Sequence, residues 1–310
     1  MQKLIELKQR MKTVQNIQTI TRTLATVSSA KLSRTRHKAA GMRQYTEKMR
    51  QTLHHQQQYL ENQGLKIEDF SSFIAARPKI ENIVLLHLAG DRGMCGSYNL
   101  AANRMSLDFI TAQEAEGRKV ELVIKGEKGE RFFRKKTKNT ILHSEGWKRA
   151  GVLPEDVDRI YEKITNIFLS GQADEVYCLY TQFYSPIRRF PRIVRMLPVK
   201  PDISGEAISL VAGERPEKWV YEPTFQSIMD EMISIFLRIQ VEDVLLESYA
   251  SEQGARMITM EEATERADKT LQECRVLFNR LRREVITTDL LGVLFASRVR
   301  EEEEGTTRTG

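Results

Sequence analysis

The chain has 310 residues, 41% hydrophobic and 29% charged, with 8 Pro, 17 Gly and 3 Cys. Such a composition suits one to three soluble domains and excludes collagen-like, wholly disordered and disulfide-framework proteins. The net charge of +6 is uneven: residues 1–60 carry twelve Lys/Arg against Glu6 and Glu47, so this segment calls for an acidic partner. Nucleic acid, an anionic membrane surface and an acidic protein face would each satisfy it.

The opening MQKLIELKQRMK lacks the apolar core of a secretory signal. No apolar run approaches the roughly 20 residues that span a bilayer, so a cytosolic or peripherally attached chain is expected. All eight prolines lie between Pro78 and Pro223. Because proline breaks helix interiors, both ends are free to form long helices.

In the first segment, residues 1–62, Leu4, Leu7, Met11, Val14, Ile17, Ile20, Leu24 and Val27 recur at steps of three or four. This is the apolar seam of a helix lying along another helix. The helix is predicted to continue to Tyr59, with Asn62-Gln63-Gly64 as its stop. In the last segment, residues 222–298, the same spacing recurs at Met257, Met260, Thr264, Ala267, Leu271, Cys274, Phe278, Leu281 and Val285. A helix over that segment would be on the order of 110 Å long at 1.5 Å per residue, far beyond an ordinary globular helix. Two such helices pair antiparallel only if the middle is an insertion between them.

The middle, residues 78–200, alternates strands and helices. Strands are predicted at Ile80–Ala89, Val120–Lys125, Thr140–His143, Glu175–Tyr184 and Ile193–Pro198. Helices are predicted at Asn99–Glu116, Gly129–Lys135 and Pro154–Leu169, and the alternation argues for a parallel α/β sheet. Residues 200–222 read as a loop-rich return, and 299–310 as a polar, disordered tail.

Chemical motifs are sparse. The loop Gly90-Asp91-Arg92-Gly93-Met94-Cys95-Gly96 follows a strand, where nucleotide-binding folds place phosphate loops. Yet the chain holds no Gly-Lys dipeptide, and the spacing is GxxGxxG rather than GxGxxG, so a tight strand-to-helix turn is the simpler reading. His37, His54, His55, His87 and His143 show no ligand spacing, and Cys95, Cys178 and Cys274 form no CxxC pair. Neither a zinc site nor a nucleophile is indicated, and a reducing compartment fits.

Three separated motifs resemble the gamma subunit of F-type ATP synthases. They are Val14–Thr21 followed by Ala30-Lys31-Leu32; Gly90–Asn99 (GDRGMCGSYN); and Ser251–Met257 (SEQGARM) with Asn279–Leu290 (NRLRREVITTDL). Their order and spacing cover nearly the whole chain. The resemblance implies an α/β fold plus a long antiparallel coiled coil, in which terminal helices form a shaft and a Rossmann-like domain is inserted between them. It further implies a rotor without catalytic residues, cofactor or metal, one copy per complex, inside a hexamer of alpha and beta subunits and against epsilon and the c-ring. Membrane attachment would come only through that complex, at the cytoplasmic side of a bacterial membrane.

Carried over by motif, the residues facing the hexamer would be Leu24, Lys31, Glu252, Arg256, Arg282, Thr287 and Asp289, with Arg256 and Arg282 the main charged contacts. Glu252 and Arg256 also stand at the i,i+4 spacing of a helical ion pair. Two stretches depart from the family pattern, Arg22-Thr23-Leu24-Ala25-Thr26 and Ile286-Thr287-Thr288-Asp289-Leu290, as does the acidic Glu301–Glu304; together they suggest a divergent branch. Two other classes remain open to the residues alone. One is a basic coiled-coil protein binding nucleic acid, and the other a nucleotide-dependent enzyme of the α/β middle.

Overall fold

The computed structural model describes residues 2–62, 64, 71–147, 151–199 and 224–306. Ten elements follow in chain order. They are α1 (Gln2–Asn62), β1 (Asn82–Leu88), α2 (Tyr98–Ala115), β2 (Lys119–Lys125), α3 (Glu127–Lys136), β3 (Ile141–Glu145), α4 (Pro154–Leu169), β4 (Glu175–Phe183), β5 (Arg189–Leu197) and α5 (Phe225–Thr306). The expected loop at 200–222 lies outside the described residues, apart from which the chain divides into two units. One unit is Met1–Thr26 with Thr259–Gly310, and the other is Val27–Ile258.

In the second unit the sheet runs β3-β2-β1-β4-β5. β1 pairs parallel with β2 and β4, and β2 with β3. The strictly parallel sheet expected from the alternation needs one correction, because β5 pairs antiparallel with β4. Only residues 184–188 join the two strands, and a parallel crossover needs a dozen or more.

Alternation along β1 explains the layers. Ile83 and Leu85 face α2 and α3, packing with Ala102, Ile110, Phe133 and β2's Leu122. Val84, Leu86 and Leu88 face the other way, against Val157, Ile160, Ile164 and Phe168 of α4, Ile233 and Leu237 of α5, and Leu53 and Leu60 of α1. Each such fully buried side chain contributes roughly 1.5–3 kcal/mol of transfer free energy. Pro154 opens α4 at a position where no amide hydrogen is needed, and the Asp156 carboxylate accepts the Leu153 amide at 3.1 Å.

In the first unit α1 and α5 pair antiparallel. Thr21 and Thr264 hydroxyls meet at 2.7 Å, Gln18 bonds Asp268, and Arg22 stands 3.7 Å from Asp268. Met260, Ala267, Leu271 and Cys274 are buried, as their spacing predicts. On α1 the seam differs from the predicted one. Burial follows Leu7, Met11, Val14, Gln18, Thr21 and Ala25, continuing in the second unit at Ser28, Leu32 and Thr35. These steps alternate four and three, holding the 3.5-residue period of a coiled coil. The apolar run through Ile17 and Ile20 takes two steps of three and drifts off the seam, leaving them 48% and 58% exposed. Gln18 and Thr21 take their place at the interface, bonding across to Asp268 and Thr264.

The expected disordered tail is also corrected, because α5 runs on through Glu301–Glu304 to Thr306. No proline or glycine interrupts residues 293–304, and Glu is a good helix former. Residues 307–310 lie outside the described part.

Candidate functional site

Open α/β sheets place ligands beyond the carboxyl ends of their strands, at the point where the strand order reverses. Here that point lies between β1 and β4, and α5 covers it. The Ser251 hydroxyl donates to the Thr181 carbonyl at 2.8 Å, and the Phe183 amide donates to the Glu247 carboxylate at 3.1 Å. On the β1 side the Tyr98 hydroxyl bonds that of Ser248 at 2.8 Å, while Cys95, Tyr98 and Ala255 form a small buried cluster.

The loop Gly90–Gly96 is shaped for this helix. Its glycine after β1 has a steric reason, since a Cβ on Gly90 would come within 2.8 Å of the Glu252 carboxyl carbon. The Gly90 amide donates to Asn99 Oδ1 at 2.8 Å, and Met94 holds a left-handed φ of 61°. Arg256 donates to Glu252 at 2.6 Å and reaches the Arg92 and Gly93 carbonyls at 3.5 Å. Burial pushes the Glu252 carboxyl above the usual carboxylate range, and Arg256 pulls against that shift. A carboxylate of the chain itself thus stands beside the loop where a nucleotide phosphate would be sought. The loop was expected to be a turn joining strand to helix; it is also the seat of a distant helix.

Below this seat lies a buried ionic cluster. Lys125, at the end of β2, donates to Glu145 at 2.7 Å and Asp156 at 3.1 Å, and lies 5.3 Å over the Trp147 ring. Arg159 adds bonds to both carboxylates. Burial would raise the Glu145 carboxyl, but Lys125 and Arg159 outweigh it and hold the group below its ordinary range. The two cations and two anions balance, tying β2, β3 and α4 together. Asp91 extends the network by accepting the Glu127 amide at 3.0 Å, at the start of α3, and the Trp147 amide at 2.8 Å. His87 sits inside the sheet, its ring nitrogens 2.8 Å from Ser106 and 2.9 Å from Asn103. Burial lowers its pKa to about 4, so it is a neutral core residue.

The seven expected contact residues separate into two groups. Glu252 and Arg256 are buried and satisfied by one another inside the second unit, whereas Lys31 is half-buried there, with its charge near Glu252. The exposure that a direct partner contact requires is missing at Glu252 and Arg256. In the first unit Leu24 is half-buried, and Arg282, Thr287 and Asp289 are exposed along α5. Tyr98, Ser248, Asp91 and Lys125 were not singled out by the sequence reading. Asp91 and Tyr98 lay within a quoted motif, without a role of their own, but nothing local to Lys125 distinguishes it from a surface lysine. Among the described residues no group of His, Cys, Asp and Glu is arranged to hold a metal, and no helix is long and apolar enough to cross a membrane.

Two long terminal helices, paired antiparallel, with a five-stranded α/β sheet between them in sequence, define a coiled-coil protein with an inserted Rossmann-like domain. The family described as ATP synthase matches residues 3–296. The ATP synthase gamma chain of Dehalococcoides mccartyi (strain CBDB1) is 31% identical over 93% of this chain and 95% of its own length. That of Chloroherpeton thalassium is 28% identical over 96% and 98%. This chain belongs to the ATP synthase gamma-chain family. Solved structures of Euglena gracilis mitochondrial ATP synthase agree in fold. A chain of its rotor in rotational state 1 matches with TM-score 0.62 and 15% identity over 92% of this chain and 99% of that one. A chain of its OSCP/F1/c-ring assembly in rotational state 3 matches with 0.63 and 14% over 97% and 96%.

Proposed function

We propose that this chain is the central rotor shaft of an F-type ATP synthase, coupling ion flow through a membrane ring to ATP synthesis or hydrolysis at the beta subunits. The family match over residues 3–296 carries the reading. One copy serves each complex, with alpha and beta subunits around the paired helices and the α/β domain against epsilon and the c-ring. The shaft acts as a ligand whose off-axis surface fits three beta conformations unequally, so turning it reorders their populations.

The chain itself is non-catalytic. In support, α5 covers the strand-end crevice, and the Glu252 carboxylate beside the Gly90 loop is tied to Arg256. Leu290, Val293, Leu294 and Phe295 near the end of α5 are 60–67% exposed, an apolar stretch that a surrounding partner would cover. Leu24, Lys31, Arg282, Thr287 and Asp289 are the residues that would bear on the hexamer, with individually modest contacts so that no orientation becomes a trap. Glu252 and Arg256 serve from inside, by fixing the helix to the sheet. The complex holds the chain at the cytoplasmic side of a bacterial membrane.

Affinity purification of the tagged chain from its native membranes tests the assignment. Recovery of alpha, beta and epsilon subunits with ATPase activity is the expected result. Recovery of the chain alone, or with nucleic acid, would overturn it.

A further inference from the structure

Within the second unit α5 is enclosed rather than laid along one side. Every residue from Ser248 to Arg256 is buried, about two and a half helical turns without an exposed face. A helix packed along one side buries a stripe little more than about 100° wide. Here the contacts run from Gly254 through Glu247, Ser251 and Ser248 to Arg256 and Tyr249, an arc of roughly 220° at about 100° per residue.

Each side of the enclosure comes from a different element. A Cβ on Gly254 would meet Phe183 at 3.2 Å, the Pro186 Cα at 3.5 Å and Leu32 of α1 at 3.8 Å, so the β4–β5 turn and α1 close one side. β4 supplies the Thr181 carbonyl to Ser251 and the Phe183 amide to Glu247. From α2 the Tyr98 hydroxyl stands 2.8 Å from the Ser248 hydroxyl and 3.1 Å from its carbonyl. On the far side the Trp147 ring packs on Tyr249 with centroids 5.6 Å apart, and the Gly90 loop meets Glu252 and Arg256.

The enclosed segment is polar where a buried helix is ordinarily apolar. Ser248, Ser251, Glu252, Gln253 and Arg256 are each 8% exposed or less, and Tyr98 is 5% exposed. Buried hydroxyl pairs add little net stability, and replacing both partners by apolar groups of the same shape is close to neutral. What they add is register. Apolar packing is non-directional and tolerates a helix that turns or slides a little, whereas a hydrogen bond weakens steeply with distance and angle.

In the rotor reading, on which the inference rests, torque enters through the α/β domain and leaves along the paired helices. It has to cross from the domain into α5, and a segment gripped around most of its circumference resists turning best. We infer that α5 between Glu247 and Arg256 is a torque joint, with Tyr98, Ser248 and Ser251 as positioning residues that fix the rotational setting of the helix against the sheet. These three hydroxyls define the setting of the helix and contribute little to holding the fold together.

The test uses the complex purified from native membranes, with the hexamer fixed to a surface, a bead on the c-ring and hydrolysis halted by ADP. The angular variance of the bead then reads torsional compliance. In Tyr98→Phe/Ser248→Ala/Ser251→Ala the unfolding midpoint of the isolated chain is expected to stay within about 3 °C of wild type. The angular variance is expected to about double, because a satisfied polar network rigidifies what it joins. Tyr98→Phe alone, in which the Ser248 hydroxyl falls back on its own helix, should give a smaller rise in the same direction. Ser106→Ala removes an equally buried hydroxyl, bonded to His87 at 2.8 Å and away from α5, and should leave the variance unchanged. Unchanged variance in the triple variant, or an equal rise in Ser106→Ala, would overturn the joint. So would a large fall in the midpoint, which would make the hydroxyls ordinary stabilisers of the fold. A wild-type complex whose bead does not turn when ATP is added would instead sink the rotor reading itself, so the two failures are distinguishable.

Discussion

The Arg256 guanidinium donates to the Glu252 carboxylate across 2.6 Å, one turn apart on α5, with both side chains a tenth exposed or less. Breaking such a pair from one side strands the other charge in the interior. We expect Arg256→Ala to destabilise the second unit by about 3–5 kcal/mol, and the double change with Glu252→Gln to recover part of that loss. The pH dependence has a definite sign. Glu252 already titrates above its ordinary range, and losing Arg256 raises it further, so the folded state binds the extra proton. Stability of Arg256→Ala should therefore rise, relative to wild type, as pH falls from 7 towards 5. Denaturant midpoints at the two pH values check it, and a parallel pH response in both proteins would refute the assignment.

Gly90 and Gly93 belong to the same loop but face different space. A Cβ at Gly90 would press on a Glu252 carboxyl that cannot swing aside without leaving Arg256, while one at Gly93 meets nothing within 4 Å. We expect Gly90→Ala to cost about 1–3 kcal/mol, as overpacking does, and Gly93→Ala to change little. Thermal unfolding of the two variants side by side decides the matter. Equal losses would mean that the helix seated on the loop is not what requires glycine at position 90.

The distribution of proline made both long helices legible, and short apolar runs made β1, β2 and β4 legible, because each signal is local. The α1 seam was misplaced for a physical reason. Ile17 and Ile20 are more hydrophobic than Gln18 and Thr21, yet register is set by the 3.5-residue period shared with α5, which a single helix does not display. The seat for α5 was half visible, since Glu252 and Arg256 stood at pairing distance on one helix while their burial depended on a loop some 160 residues away. Lys125 was invisible, because its two carboxylates and Trp147 arrive from other elements.

His87 provides an acid-sensitive element within the sheet. Burial holds its pKa near 4, below the ordinary 6.5, so the unfolded chain binds the proton first. Its contribution is complete above about pH 6.5 and is lost progressively as pH falls towards 4. Between pH 7.5 and 5.0 the loss should be about 2 kcal/mol, from 1.36 kcal/mol per pH unit. We expect His87→Gln to lower stability at pH 7.5 but to flatten that decline, as read by urea unfolding at both values. An equally steep decline in the variant would place the acid sensitivity on the carboxylates instead.

Arg282, Thr287 and Asp289 are exposed along α5, and the Thr287 hydroxyl only bonds back to the Arg283 carbonyl at 2.9 Å. Among the described residues no other hydrogen bond or ion pair involves these three side chains, so Arg282→Ala with Asp289→Ala should leave unfolding of the isolated protein within about 0.5 kcal/mol of wild type. If they bear on a surrounding hexamer, the same variant should uncouple hydrolysis from ion pumping in the assembled complex, lowering pumping per ATP consumed. Arg256→Ala should do the opposite, shifting stability of the isolated chain first and coupling only through loss of folded shaft. Measuring both variants in both settings separates residues that touch a partner from residues that hold the shaft together. Unchanged pumping in Arg282→Ala/Asp289→Ala would return those two positions to the solvent.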